Sequence, residues 1–184
     1  MESYLESIKK QFLYYKKLGE DAMLQVPDEA LFWQYNQNSN SIAIIVNHIA
    51  GNMLSRFTNF LDSDGEKSWR NRDAEFEMPL FNNREALLQR WNEGWNCLLG
   101  TLELLKEEDL GCIVYIRNDG HTVVEALNRQ LAHYPYHVGQ MVFIAKMLKD
   151  DDWKSLSIPK NRSSEYNDLK FSREKEKRHF TDDL

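Results

Sequence analysis

Hydrophobic side chains recur at alternating steps of three and four residues in four separate stretches of the chain. This spacing is typical of helices that bury one face, so it predicts four long amphipathic helices. The apolar positions are Leu5, Ile8, Phe12, Tyr15 and Met23; Ile42, Ile45, Ile49, Met53, Phe57 and Phe60; Leu88, Trp91, Trp95, Leu98, Leu102 and Leu105; and Val124, Leu127, Leu131, Tyr134, Val138, Met141, Ala145 and Leu148. Helices of this kind predict an all-α protein, an antiparallel four-helix bundle.

Residues suited to capping stand where these helices should begin. Either Asn40 or Ser41 can cap the second helix. The third is expected to open with a capping box at residues 82–85 (Asn-x-x-Glu), and the fourth with one at residues 122–125 (Thr-x-x-Glu). Residues 28–33 are expected to add a short helical turn after the first helix.

Two connections depart from the helical pattern. Residues 62–82 form a long polar loop after the second helix, and loops of that length in compact domains are usually functional. Trp69 and Phe76 in this loop need burial, so we expect it to fold over one end of the bundle. Residues 113–116 are β-prone and residues 118–120 make a turn, which predicts a short β-hairpin or an extended excursion before the fourth helix.

A chain of 184 residues has the size of a single domain, so we expect one domain. We assign this domain to residues 1–168 and interpret the charged residues 169–184 as a solvated tail. Residues 150–168 are expected to be a closing loop that packs three apolar side chains onto the end of the bundle: Trp153, Leu156 and Ile158.

Composition narrows the classes of partner. The chain has 29 acidic against 23 basic residues, which argues against a large nucleic-acid interface. Its longest apolar run, residues 42–46, is far shorter than the roughly 20 residues that span a bilayer. Cys97 and Cys112 have no disulfide or metal-binding spacing, and the charged N-terminus does not resemble a secretory signal. We therefore expect a cytoplasmic protein. Its many aromatic residues exceed the needs of one small core, which favours a homodimer.

Three histidines are the leading candidates for chemistry. His133 and His137 are four residues apart in the fourth helix, so both rings lie on one face and can converge on one metal ion. His48 stands on the second helix, and metal sites in helical bundles are built from side chains on facing helices. Taken separately, the pair or the single histidine is more simply a packed structural feature. Together they predict a divalent metal site. Pro135, between the pair, predicts a kink.

Other polar residues are placed to bind a substrate beside that site. Gln130 and Gln140 share the flank of the fourth helix with the two histidines, and Asn52 follows His48 by one helical turn. Arg70 and Arg72 in the long loop are expected near the mouth of the cavity. These five residues are the substrate-binding candidates; no catalytic residue is assigned.

The remaining reactive side chains are set aside. His121 adjoins a turn glycine and His179 lies in the charged segment, so both are expected to be exposed and are excluded as ligands. Cys97 is expected to be a small buried hydrophobe.

Three imidazoles leave at least one coordination position for water or substrate. Zn²⁺ suits such a site as a four-coordinate Lewis acid, and Ni²⁺ suits it with additional waters; the sequence does not choose between them. A bound water would be acidified, or an incoming thiol held as thiolate.

Three further segments, read in order, resemble the DinB-like superfamily. They are Asn47-His48-Ile49-Ala50, the stretch DGEKSWRNRDAEF at residues 64–76, and LAHYPYHVGQ at residues 131–140; WKSLSIP at residues 153–159 is similar as well. The resemblance covers about residues 3–168 and is greatest to a bacterial branch whose members have no assigned activity.

This resemblance implies a four-helix bundle, commonly dimeric, with a divalent metal held by His48, His133 and His137. Some DinB-like proteins are thiol-dependent transferases or isomerases that use bacillithiol, mycothiol or glutathione. The resemblance therefore favours a metal-dependent thiol S-transferase or a hydrolase-like enzyme, with bacillithiol as a candidate co-substrate. The chain departs from the family pattern at Pro135, where relatives usually keep a helix former.

Two other interpretations stay open at this stage. The protein could be a non-catalytic stress or interaction protein whose metal clamps two helices, or a metal-free bundle whose histidines are merely packed. An open coordination position facing a pocket would favour chemistry, whereas a buried and fully ligated ion would favour a structural role.

Overall fold

A computed structural model describes residues 3–182, and these form a mostly helical protein with one small antiparallel sheet. The helices are α1 (Tyr4–Leu24), α2 (Asp28–Leu31), α3 (Ile42–Phe57), α4 (Arg84–Leu104), α5 (Val123–Lys149) and α6 (Ser163–Phe171), and the strands are β1 (Ile113–Ile116) and β2 (Asp119–Thr122). Short 3-10 helices span Asp73–Phe76, Glu107–Gly111 and Asp150–Asp152.

The caps of α3 and α5 confirm two of the expected helix starts. Of the two candidates for α3, Ser41 is the cap, and its hydroxyl accepts a hydrogen bond from the backbone N–H of Ile44. At α5 the Thr122 hydroxyl accepts from the N–H of Glu125, and the Glu125 carboxylate accepts in return from the N–H of Thr122. This is the expected capping box.

The start of α4 differs from the prediction. Asn83, rather than Asn82, caps the helix, and its side-chain oxygen accepts from the N–H of Ala86 at 2.9 Å. Glu85 is therefore the second residue of the helix, one position too early to close a capping box. Both asparagines are good capping residues, and the sequence pattern alone did not separate them.

Four long helices share the core. Helix α3 packs against α4 and α5, and α1 packs against α5 and α4. The rings of Phe12, Trp95 and Tyr134, from α1, α4 and α5, meet with centroids 6.1–6.4 Å apart. A Cβ atom on Gly94 would lie 2.7 Å from the Cα of Ala50, so this glycine allows α3 and α4 to approach closely.

Most of the predicted apolar positions are buried. Six of them are only half-buried, namely Leu5, Tyr15, Leu88, Val124, Leu131 and Leu148. Leu87, which the spacing did not select, is fully buried. Helix α3 also ends at Phe57, three residues before the last position of its predicted stripe. Phe60 is nevertheless buried, and its ring lies 5.3 Å from that of Phe57.

The expected hairpin is present, but its turn lies earlier than predicted. Ile116 pairs with Asp119, so the turn consists of Arg117 and Asn118. Both have positive φ, 57° and 65°, as in the two-residue turns that match the twist of a hairpin. The Asp64 carboxylate accepts from both of their backbone N–H groups, at 2.9 and 2.8 Å. These bonds hold the hairpin against the loop that joins α3 to α4.

The C-terminal part corrects two expectations. Helix α6 begins inside the segment expected to be a closing loop and crosses the boundary proposed at residue 168. The charged residues 172–178 after it are exposed. The last described residues contact α1, since the Phe180 ring packs edge-on against Tyr14 and the Lys10 ammonium pairs with Asp182 at 2.7 Å. The division into one domain and a tail stays a prediction.

The apolar side chains expected to close the bundle behave differently from one another. Trp153 and Leu156 are half-buried against the core, whereas Ile158 is 42% exposed. Within residues 3–182, no helix combines the length and apolar character that crossing a bilayer requires.

Candidate metal centre

The three predicted histidines meet in space. His48 lies on α3, and His133 and His137 lie one turn apart on α5, which is continuous across Pro135. The Nε2 atom of His133 is 3.1 Å from that of His137 and 3.4 Å from that of His48. One ring nitrogen of each histidine lies within 4.8 Å of those of the other two. His48 and His137 are buried and His133 is half-buried.

Each ring turns its second nitrogen, Nδ1, toward an oxygen acceptor. The acceptors are Glu75 Oε2 for His48 at 2.9 Å, Gln130 Oε1 for His133 at 3.3 Å, and Gln140 Oε1 for His137 at 3.2 Å. Carboxylate and amide oxygens accept hydrogen bonds but do not donate them. In a neutral ring held this way the hydrogen resides on Nδ1, and Nε2 carries the lone pair.

This tautomer pattern suits a metal ion. With their hydrogens on Nδ1, the three Nε2 atoms cannot hydrogen-bond to one another, and a cation among them would stabilise their convergence. For tetrahedral Zn²⁺, with metal–nitrogen distances of about 2.0–2.1 Å, two ligand nitrogens lie about 3.3 Å apart. The two Nε2 separations at His133, 3.1 and 3.4 Å, are close to that value. Metal-bound histidines also usually donate their other N–H to an oxygen.

Glu75 is the site residue that the sequence interpretation missed. It lies in the 3-10 helix of the long loop, is 6% exposed, and bonds to the His48 ring. A Cβ on Gly51 would lie 2.3 Å from Glu75 Oε1, so only glycine at this position leaves room for the carboxylate beside α3. A glycine inside an apolar helix signals a close approach, but it does not reveal what approaches.

Arg70 holds Glu75 in place. Its Nε donates to Glu75 Oε1 at 2.7 Å and its Nη2 donates to Oε2 at 2.8 Å, a bidentate pair whose side chains are 2% and 7% exposed. Burial alone would raise the pKa of the Glu75 carboxyl, but the hydrogen bonds from Arg70 and His48 hold that pKa below its ordinary value of 4.5. Glu75 is therefore an ionised acceptor at neutral pH.

A cavity of about 460 Å³ opens beside the three rings. Four of the five predicted substrate-binding residues line it, namely Asn52, Gln130, Arg70 and Arg72. Gln140 is not among the lining residues, because it lies behind His137 and accepts from that ring. The long loop contributes Arg70, Arg72 and Phe76 to the lining.

The polar residues that line the cavity differ in their exposure and in the hydrogen bonds that they already make within the protein. The Asn52 side-chain oxygen accepts from the Tyr134 hydroxyl at 2.9 Å, and that of Gln130 accepts from His133. The Arg70 side chain is 2% exposed, and its Nε and Nη2 donate to Glu75. Arg72 is half-exposed and stacks over the Phe76 ring, with its guanidinium carbon 5.0 Å from the ring centroid.

Several lesser expectations need correction. Phe76 is half-buried against the His48 ring, with centroids 4.4 Å apart, but Trp69 is 59% exposed and does not fold over the bundle. His121 and His179 are half-buried rather than exposed, and neither belongs to the histidine cluster. Cys97 is half-buried: it lies at the edge of the α3–α4 contact, where Thr58 approaches its sulfur at 3.7 Å.

Burial keeps the paired histidines neutral. The pKa of His133 falls from 6.5 to about 3, first through burial and then through the repulsion that a second proton in the cluster would meet from a protonated His137 or His48. The pKa of His137 falls to about 4 through burial and the proximity of His48. Both rings therefore offer a lone pair across the physiological pH range.

These shifts predict acid-sensitive folding of the metal-free protein. Between pH 6.5 and about 4 the unfolded chain binds protons at His133 and His137, while the folded chain does not. The free energy of unfolding therefore decreases as the pH falls through this window and is unaffected by these rings above it. Urea unfolding with a chelator at several pH values measures the slope. A variant with His133→Gln and His137→Gln should show a weaker dependence of the free energy of unfolding on pH. Equal dependence in the variant and the wild type would contradict this prediction.

The fold and this centre define a mostly helical protein with a three-histidine cluster that could hold a metal ion. Residues 1–162 match the family model described as Protein of unknown function (DUF1572), and the chain belongs to this family. No curated protein and no solved structure matches the chain significantly.

Proposed function

We propose that this protein is a divalent-metal-dependent enzyme of the DinB-like type, with a metal held by His48, His133 and His137. The observation that carries the proposal is the orientation of the rings: each Nδ1–H is occupied by an outer oxygen acceptor, and each Nε2 lone pair faces the common centre. Zn²⁺ and Ni²⁺ both suit three imidazoles.

The open side of the centre favours catalysis over a purely structural ion. A structural site surrounds its ion with protein ligands, whereas a catalytic site keeps a position for water or substrate. Here the three rings line an open cavity, and Asn52 and Gln130 line it as well. An ion bound there would supply Lewis acidity, which acidifies a coordinated water or stabilises a thiolate.

The reaction we favour is transfer of a group from an electrophile to the sulfur of a low-molecular-weight thiol such as bacillithiol. In this reaction Arg70 and Glu75 orient His48, Gln130 and Gln140 orient the other two rings, and Asn52 and Arg72 contact the substrate. A hydrolase-like reaction uses the same residues with water in place of the thiol.

The same proposal includes the finer architecture. The four long helices that share the core are the bundle expected of a DinB-like protein, with residues 1–168 as one domain, and we propose a cytoplasmic homodimer. Exposed apolar side chains on α5, Tyr136, Phe143 and Met147, are available for a partner subunit. Light scattering of the purified protein measures the subunit number, and a monomer at all concentrations would contradict the dimer.

Metal analysis is the first test of this function. Untagged protein, dialysed against metal-free buffer, should retain about one divalent ion per chain, because three converging nitrogens form a chelating site. The loaded protein should then catalyse transfer from an electrophilic aromatic model substrate to bacillithiol. Metal content well below one ion per chain would rule out the metal centre. A stoichiometric ion without turnover above the His48→Ala variant would rule out the transferase alone.

A further inference from the structure

The cavity beside the histidines is unusually rich in arginine for a chain of net charge −6. Five arginines line it, and none of its lining residues is acidic: Arg56, Arg70, Arg72, Arg117 and Arg129. The carboxylates that pair with these arginines are not among the residues that line the cavity. They are Glu66, Glu75 and Asp73. The cavity surface therefore carries an excess of positive charge even without a metal.

The five arginines fall into two groups. Arg56 and Arg70 have side chains only 7% and 2% exposed and are held by Glu66 and Glu75 inside the protein. These two are structural. Arg72, Arg117 and Arg129 are half-exposed or exposed, so their guanidinium groups form a rim around the opening, which we call the arginine rim.

The arginine rim is only weakly neutralised. Arg72 lies 3.8 Å from Asp73, whose side chain is 98% exposed, and an ion pair this open contributes little. Arg117 shares Glu66 with the two structural arginines. Within residues 3–182 no ion pair involves Arg129, which instead approaches His121 Nε2 at 3.5 Å.

The backbone at Arg117 gives a second, independent observation. This residue adopts a φ of 57°, a conformation that bulky side chains seldom adopt and that asparagine or glycine tolerates better. Strain of this kind persists where the surroundings enforce it, and it is found most often at functional sites. Here Asp64 enforces the turn through the N–H groups of Arg117 and Asn118, and the turn brings a cation to the cavity.

We propose that the arginine rim is an oxyanion subsite, which binds a carboxylate or phosphate group of the substrate while another part of the same molecule reaches the three-histidine centre. This inference extends the proposed function by naming the chemical class of its substrate. Planar guanidinium groups match both oxyanions through paired N–H donors. Arg117 comes from the hairpin, Arg129 from α5 and Arg72 from the long loop, so three separate segments clamp the anion.

The test uses two probes, inorganic phosphate and malate, titrated into the metal-free full-length protein at constant ionic strength. Calorimetry measures the dissociation constants for the wild type and for Arg117→Asn, Arg129→Gln and the double variant. Arg117→Asn is a sharp probe, because asparagine favours the positive φ of this turn, so the variant should fold with an unchanged or higher melting temperature. Arg178→Gln, which removes an exposed arginine of the C-terminal segment, is the matched control.

We expect saturable binding of at least one probe, and the tighter probe identifies the acidic group as phosphate or carboxylate. Each single variant should raise its dissociation constant about tenfold and the double variant about a hundredfold, as expected for lost charge-assisted bonds. The control should match the wild type. Absence of saturable binding, or equal binding by the rim variants, would overturn the subsite. Because the protein is metal-free in this assay, its outcome is independent of metal analysis.

Discussion

Replacing His133 with alanine should lower the affinity for the divalent ion by about a hundredfold to a thousandfold. Its Nε2 lies 3.1 Å from that of His137 and 3.4 Å from that of His48, so the variant removes one of three converging nitrogens. Structural zinc sites bind with about 10–16 kcal/mol in total, so one ligand of four contributes roughly 3–4 kcal/mol. Competition with a chromophoric chelator measures the change.

The matched control for this experiment is His121→Ala. That ring is half-buried like His133, and it lies outside the cluster. The control should bind the ion as the wild type does. If both variants retain wild-type affinity, the ion is bound elsewhere and the three-histidine centre is wrong. If both variants lose the same amount of metal affinity, the loss results from general destabilisation of the fold.

Replacing Glu75 with alanine should destabilise the fold by about 3–5 kcal/mol, the usual effect of removing one partner of a buried ion pair. The change leaves the Arg70 guanidinium, 2% exposed, without its bidentate acceptor, and it leaves the His48 Nδ1–H without one. It should also weaken metal binding by about 10–100-fold, because His48 loses the group that fixes its orientation. Urea unfolding and chelator competition measure the two effects separately.

Asp73→Ala is the control for this second experiment. It removes the same charge from the same 3-10 helix, but the Asp73 side chain is 98% exposed. Its free energy of unfolding and its metal affinity should stay near those of the wild type. A Glu75→Ala variant that is as stable as Asp73→Ala would show that the Arg70–Glu75–His48 arrangement is not formed in solution.

The helices and the grouping of the three histidines could be predicted from the sequence because both depend on local spacing. Periodicity places each helix, and the i, i+4 relation of His133 and His137 follows from helical geometry alone. His48 could be added because its helix has an apolar stripe that requires it to pack in the same core. The convergence of the three rings confirms this prediction.

The parts that escaped prediction depend on contacts between distant segments. Glu75 reaches His48 only because the long loop folds back onto α3 at Gly51, and nothing in the local sequence of the loop distinguishes it from the neighbouring charges. The position of Arg117 at the cavity depends on a turn that Asp64 enforces from 53 residues away. The pattern predicted a turn at residues 118–120, since Gly120 is the residue that usually favours one.

The oxygen acceptors of the three histidine rings come from different segments of the chain, and this couples the metal site to the long loop. Gln130 and Gln140 belong to the same helix as the histidines they support, whereas Glu75 belongs to the loop and supports the opposite helix. A metal ion bound to His48 would therefore also favour the loop conformation in which Glu75 contacts the His48 ring. Thermodynamic coupling is reciprocal. A molecule that stabilises the Glu75–His48 contact would therefore increase the affinity for the ion, and a molecule that breaks this contact would decrease it.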